Sequence, residues 1–162
     1  TTNLKKLKQL IKSKVIIVRA IPMPPIAIGK GPVAIFPANK KVKSFFNKIG
    51  QVFEIKNENL SKNYWAISGT MALYYQMLTS LSDWLINNKI NKIDAQKYVT
   101  SLYLALSSLA YKNSDKPLKK LVKNSQTPGG LNWQGLMELR KTNYYKNLDK
   151  ILGKIYKRLN KS

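Results

Sequence analysis

Apolar residues change their spacing along the 162-residue chain, and each change predicts a different element. Leu4, Leu7, Leu10 and Ile11 recur at helical intervals among lysines, which predicts an amphipathic helix over residues 2–13. VIIVRAIPM (15–23) is instead a β-branched run ended by proline, the pattern of a buried strand. PPIAIGKGPVAIFPA then leads through two glycines to a second strand at 33–37. Val42, Phe45, Phe46 and Ile49 share one face of a helix over 41–49 that Gly50 is expected to close, and QVFEI (51–55) reads as a third strand. Helix, strand, strand, helix, strand is an α/β order with few strands for a sheet standing alone.

From Lys56 onward the strand pattern disappears. Met71, Tyr74, Leu78, Leu81 and Leu85 alternate steps of three and four, one stripe of a helix over 69–88. Residues 94–113 open on Asp94 as the expected N-cap and are apolar on nearly every face between Tyr98 and Tyr111. A helix apolar all round must be covered all round. One chain with few helices offers little cover, so a homodimer or higher homo-oligomer is expected. A short helix from Pro117 to Lys123 and helices over 132–141 and 145–160 complete an all-helical part. The expected fold is mixed, an α/β part at 1–55 followed by an all-α part at 56–162.

Between the short helix and the next lies Thr127-Pro128-Gly129-Gly130. Locally, Pro128 and the glycines stop one helix, Asn132 caps the next, and Trp133, Leu136, Met137 and Leu139 supply its apolar side. The same glycine turn at a helix start also suits a small carboxylate, because bare backbone approaches closely and unpaired N–H groups face the anion. The residues alone leave both readings open.

Composition narrows the chemistry. Without Cys or His, the chain offers no thiolate nucleophile, no Ser-His pair and no zinc site built on sulfur or imidazole. The seven acids, Glu54, Glu58, Asp83, Asp94, Asp115, Glu138 and Asp149, are scattered, which argues against a carboxylate dyad or two-metal cluster. Formal charge is +22, with 29 basic residues against those 7. The lysines are spread through the whole chain, so no sequence-specific nucleic-acid partner is expected. No apolar run is long enough to span a bilayer, and the basic N-terminus lacks a signal core, so no membrane partner and a cytoplasmic location are expected. The first residue is Thr, not Met, and the chain is expected to begin within a longer protein.

Three stretches carry a resemblance to one family. VRAIPMPPIAIGKGP looks like the Arg-x-Met-Pro-Asn-Thr-Pro segment and trailing Gly-x-Gly of pyrroline-5-carboxylate reductase. SGTMALYY (68–75) is similar to its Ser-Gly-Ser-Gly-Pro-Ala-Tyr, and TPGGLNWQGLMEL to its Ser-Pro-Gly-Gly-Thr-Thr-x-x-x-Leu-x-x-Leu, in the same order and at matching separations. The resemblance implies that residues 1–55 are the end of a Rossmann-type nucleotide-binding domain and that 56–162 form a helical dimerisation and substrate domain. It implies reduction of the cyclic imine 1-pyrroline-5-carboxylate to proline, with NADP or NAD as cofactor. Such a reaction needs no histidine, cysteine or metal, since the nicotinamide supplies hydride and the protein supplies orientation. By resemblance, Pro22, Met23 and Pro24 approach the cofactor. Thr127, Gly129, Gly130, Leu131 and Asn132 take the small carboxylate substrate, and Asn132 is also the catalytic candidate, meeting the ring nitrogen. Gly130 is expected to hold backbone angles that glycine favours.

The chain departs from the family pattern at Asn132, where the family has Thr; at Met23-Pro24, where it has Asn-Thr; and at Met71-Ala72, where it has Gly-Pro. The dinucleotide fingerprint is also missing, because GKG at 29–31 has no third glycine and does not join a strand to a helix. This chain by itself is therefore expected not to bind the dinucleotide or turn over. The alternative reading is a non-catalytic basic helical module that binds polyanions, with Tyr64, Trp65, Trp84, Tyr144 and Tyr145 available to stack bases.

Overall fold

A computed structural model describes residues 4–11 and 14–161. The chain divides into two compact units, one built from residues up to Gly69 together with those from Lys150 onward, the other from Thr70–Asp149.

The first unit holds α1 (Leu4–Leu10), β1 (Arg19–Pro22), a 3-10 turn at Pro24–Ile28, β2 (Pro32–Phe36), α2 (Lys40–Phe46), β3 (Gln51–Glu54), a 3-10 turn at Glu58–Leu60 and α3 (Ser61–Ser68). β2 is central. It pairs antiparallel with β1, Arg19 opposite Phe36 and Pro22 opposite Val33, and parallel with β3, Pro32 beside Gln51 and Ile35 beside Glu54. A parallel pair needs a crossover, which α2 provides. Val33 and Ile35 are fully buried and Ala34 nearly so, as a short apolar run in a central strand requires.

Three local expectations are corrected here. The strand expected over 15–23 is laddered only over 19–22, and Val15 and Ile16 are 55% and 80% exposed. Arg19 already faces Phe36, the last residue of β2, so among the described residues no strand pairs with 15–18. β-branched residues extend, but a strand also needs a partner. Of the helix expected over 2–13, residues 4–10 are helical, while 2, 3, 12 and 13 lie outside the described residues. Finally, Gly50 is not the cap of α2, which ends at Phe46 with Asn47 as its C-cap. Its glycine has a packing cause. A Cβ there would sit 2.8 Å from the Gly31 carbonyl oxygen, which accepts the Gln51 N–H at 2.9 Å. Gly50→Ala is thus expected to push β3 away from the turn before β2 and to lower stability by about 1–3 kcal/mol, read as a lower thermal midpoint with unchanged helix content at low temperature.

The second unit is helical: α4 (Met71–Asn87), α5 (Lys92–Lys112), α6 (Lys119–Asn124), α7 (Leu131–Lys141) and the beginning of α8 (Tyr144–Lys161). α4 begins two residues later than the stripe alone suggests, because Gly69 caps α3 and Thr70 precedes the new helix. A Cβ on Gly69 would lie 3.3 Å from Ile155, so the break also lets the end of α8 approach α3. There Lys62 donates to the Asn160 side chain at 2.9 Å. α5 starts earlier than expected. Asn91, with an extended backbone, accepts from the Ile93 N–H at 2.8 Å, leaving Asp94 in the first turn, where its charge favours the helix dipole.

α4 and α5 pack along one another, yet in the second unit the buried apolar residues are Ala95 and Val99. Tyr98, Leu104 and Tyr111 are each about two-thirds exposed, and Leu102, Leu106 and Leu109 are exposed as well. The helix that must be covered all round is covered on one face only within one chain. No helix among the described residues is long and apolar enough to cross a membrane.

Candidate functional site

α6 ends at Asn124 with Ser125 as its C-cap, and three residues later the chain turns. Gly130 donates its N–H to the Thr127 carbonyl at 2.8 Å, closing a β-turn with Pro128 and Gly129 at its centre. Gly129 has φ +74°, so the turn is of the type that takes proline at its second position and glycine at its third. This is where glycine is required. Gly130, expected to need it, has φ −78° and ψ 168°, extended values open to any residue. A Cβ on Gly130 would lie 3.0 Å from the Thr127 oxygen, so its constraint is close approach, not backbone angle.

Gly130 is also the N-cap of α7, a position expected for Asn132, and no side chain caps this helix. The N–H groups of Leu131, Asn132 and Trp133 open the helix and have no partner inside it. With glycine before them and the positive end of the helix dipole behind them, they form a surface suited to an anion. The N–H of Gly130 is engaged inside the turn and faces no such partner. Nothing lies within 4 Å of the Cβ direction at Gly129, and Leu131 is 86% exposed, so approach to the turn is open.

Asn132 sits in the first turn of α7, and its side-chain amide donates to the Ser125 carbonyl at 2.9 Å. It ties the head of α7 to the tail of α6. An Asn amide carries two hydrogens and an acceptor oxygen, so this bond orients the group and leaves further capacity. Beside the turn is an open groove of about 550 Å³ in which Lys119, Lys123 and Arg140 surround Trp133, Val122 and Pro128. Sequence reasoning did not single out these cations. The signal was present as spacing, since 119, 122 and 123 share one face of α6, and 133 and 140 one face of α7.

Pro22, Met23 and Pro24 lie in the first unit. Pro22 ends β1, Met23 is extended and half-buried with its carbonyl accepting from Ile26 at 2.9 Å, and Pro24 begins the 3-10 turn. Pro22 and Pro24 are exposed. Gly29 and Gly31 follow with φ +68° and +102°, joining that turn to β2; they do not open a helix and offer no pyrophosphate cradle. Among the described residues no three His, Cys, Asp or Glu side chains gather where a metal could sit.

A family model described as pyrroline-5-carboxylate reductase dimerisation matches residues 58–162. The chain belongs to the pyrroline-5-carboxylate reductase family. Among solved structures it is similar to a Plasmodium falciparum pyrroline carboxylate reductase with NADP bound, at 26% identity and a TM-score of 0.79, covering 96% of this chain and 65% of that one. It shares its fold with pyrroline-5-carboxylate reductases from Coxiella burnetii (18% identity, TM-score 0.84, 98% of this chain and 62% of that one) and Streptococcus pyogenes (21%, 0.82, 96% and 62%). The chain thus spans less than two-thirds of the length of these reductases. No curated protein matches the sequence significantly. Within the family fold, the small sheet followed by a helical region corresponds to the end of a Rossmann-type part followed by the dimerisation region.

Proposed function

We propose that the protein containing this chain is an NAD(P)H-dependent reductase of 1-pyrroline-5-carboxylate, and that this chain supplies its homodimer surface and its substrate carboxylate site. The observation carrying the proposal is the uncapped first turn of α7 behind the Thr127-Pro128-Gly129-Gly130 turn, found in a chain of this family. In this reading the N–H groups of Leu131 and Asn132 hold the carboxylate, Thr127 and Gly129 shape its approach, and Gly130 keeps the helix head free of a side chain. Asn132, oriented by Ser125, hydrogen-bonds the ring nitrogen and stabilises the charge that develops there, while the proton that completes the amine comes from water. NADPH or NADH, when bound, would supply the hydride. Pro22, Met23 and Pro24 flank the nicotinamide end, and the glycine turn at 29–31, which leads into β2 and opens no helix, does not cradle the phosphates, which are held outside the described residues.

The test is oxidation of NADPH and of NADH by the longer protein in the presence of pyrroline-5-carboxylate. Asn132→Ala is expected to lower kcat/KM by about 10–100-fold, the range for losing a hydrogen bond to a charged group. Asn132→Thr, which restores a hydroxyl near the same place, is expected to keep or raise activity. Absence of imine-dependent oxidation in the unsubstituted protein would overturn the reading.

A further inference from the structure

Of the ion pairs Arg19–Glu58, Lys43–Glu54 and Glu138–Lys141, the first is the one drawn out of water, with side chains 13% and 27% exposed. Its surroundings are specific. The Arg19 guanidinium lies over the Trp65 ring, 4.8 Å from the centroid, while the Glu58 carboxylate accepts the backbone N–H of Leu4 at 2.8 Å. The Ser61 hydroxyl donates to the Glu58 carbonyl, joining the same residue to the start of α3. The Trp65 indole N–H is buried without a hydrogen-bond partner among the described residues, and its ring face is what Arg19 uses.

A buried pair is weak evidence for stability, because desolvation offsets much of the attraction. What it does provide is geometry, since a planar guanidinium can grip a carboxylate with its edge while stacking its face on an indole. β1 needs such a restraint. It is four residues long and has one strand neighbour, and Arg19 stands at the end of that ladder, three residues before Pro22. Glu58 is the first residue of the family-matched region.

We propose that Arg19 is a positioning residue: clamped between Glu58 and Trp65, it fixes β1, and with it Pro22, Met23 and Pro24, against the first turns of the dimerisation region. Its chemical consequence rests on the reductase reading above, in which residues 22–24 meet the nicotinamide. The clamp itself does not.

The experiment therefore has two readouts on the same variants, Arg19→Met, Arg19→Lys and Glu58→Gln. Hydrogen exchange of the 162-residue chain is expected to accelerate about tenfold across 20–28 in Arg19→Met and Glu58→Gln, with α5 unchanged, and less in Arg19→Lys, which keeps charge but not the stacked plane. In the longer protein, kcat should fall about tenfold in the same two variants while KM for pyrroline-5-carboxylate stays within about twofold, because neither Arg19 nor Glu58 is among the residues proposed to hold the carboxylate. The double variant should be no worse than either single one, as for two halves of one contact. Unchanged exchange across 20–28 overturns the clamp, and so does equal acceleration everywhere, which would make Arg19 a general stabiliser. Faster exchange with unchanged kcat overturns the positioning role. If the unsubstituted protein reduces no imine, the reductase reading fails and exchange alone decides the clamp.

Discussion

Leu106→Glu is expected to turn a dimer into a monomer that has lost much of the order of residues 70–149. In one chain Leu106 is 49% exposed, and glutamate is nearly as good a helix former as leucine, so the substitution disturbs little within the protomer itself. The cost arises on association. If the bare face of α5 is covered by a second copy, each glutamate is stripped of water without a cation placed to meet it, at a cost on the order of 3–5 kcal/mol, and two-fold symmetry imposes it twice. That raises the dimer dissociation constant by a factor of about ten thousand or more. The monomer left behind has Ala95 and Val99 as its buried apolar residues in this unit, too little to hold helices that are marginal in isolation. Sedimentation velocity and far-UV circular dichroism read both parts at once. A monomer at micromolar concentration for the unsubstituted chain, or a dimer untouched by Leu106→Glu, would remove the homodimer from the proposed function.

The parts of the fold legible in advance were those written as periodicity over many residues. The stripe from Met71 to Leu85 and the all-round apolar helix through Leu102 and Leu106 survive in the structure because a long repeated pattern outweighs any one residue's preference. What failed was decided by partners that a linear pattern does not contain. Val15 and Ile16 have the composition of a strand and, among the described residues, no strand paired with them. Gly50 resembles a helix cap but answers to the Gly31 carbonyl, close in space across the sheet. Asp94 and Asn132 are both good capping residues, displaced from that role by Asn91 and Gly130. Arg19 was quoted in a motif but given no role, because the burial that makes it informative comes from Glu58 and Trp65, about forty residues further on.

Gly129→Val is expected to abolish carboxylate binding at the turn while leaving the assembly of the protein intact. At φ +74°, valine must either hold a left-handed backbone, strained by about 1–3 kcal/mol and more for a β-branched side chain, or rotate the peptide away. Rotation breaks the Gly130 to Thr127 bond of 2.8 Å and re-aims the chain entering α7, which moves the N–H groups of Leu131 and Asn132 off the anion. Since nothing lies within 4 Å of a Cβ at this position, the effect is a backbone effect and should lower the thermal midpoint by no more than about ten degrees, with the fold retained. Gly129→Asn tests that cause, because asparagine tolerates the left-handed region and should retain most of the affinity despite its larger side chain. Gly130→Ala works differently. Its backbone angles suit alanine, and the contact of 3.0 Å with the Thr127 oxygen calls for a shift of a few tenths of an ångström, so a weaker loss is expected. The measurement is the affinity of proline, as a carboxylate analogue of the substrate, for the longer protein by calorimetry, across Gly129→Val, Gly129→Asn and Gly130→Ala. Affinity is expected to be highest in the unsubstituted protein, then to fall through Gly129→Asn and Gly130→Ala to Gly129→Val, with the last at least about tenfold weaker than the first. Equal affinity in all four would mean that the uncapped head of α7 meets no carboxylate, and that Pro128 and Gly129 do no more than stop α6.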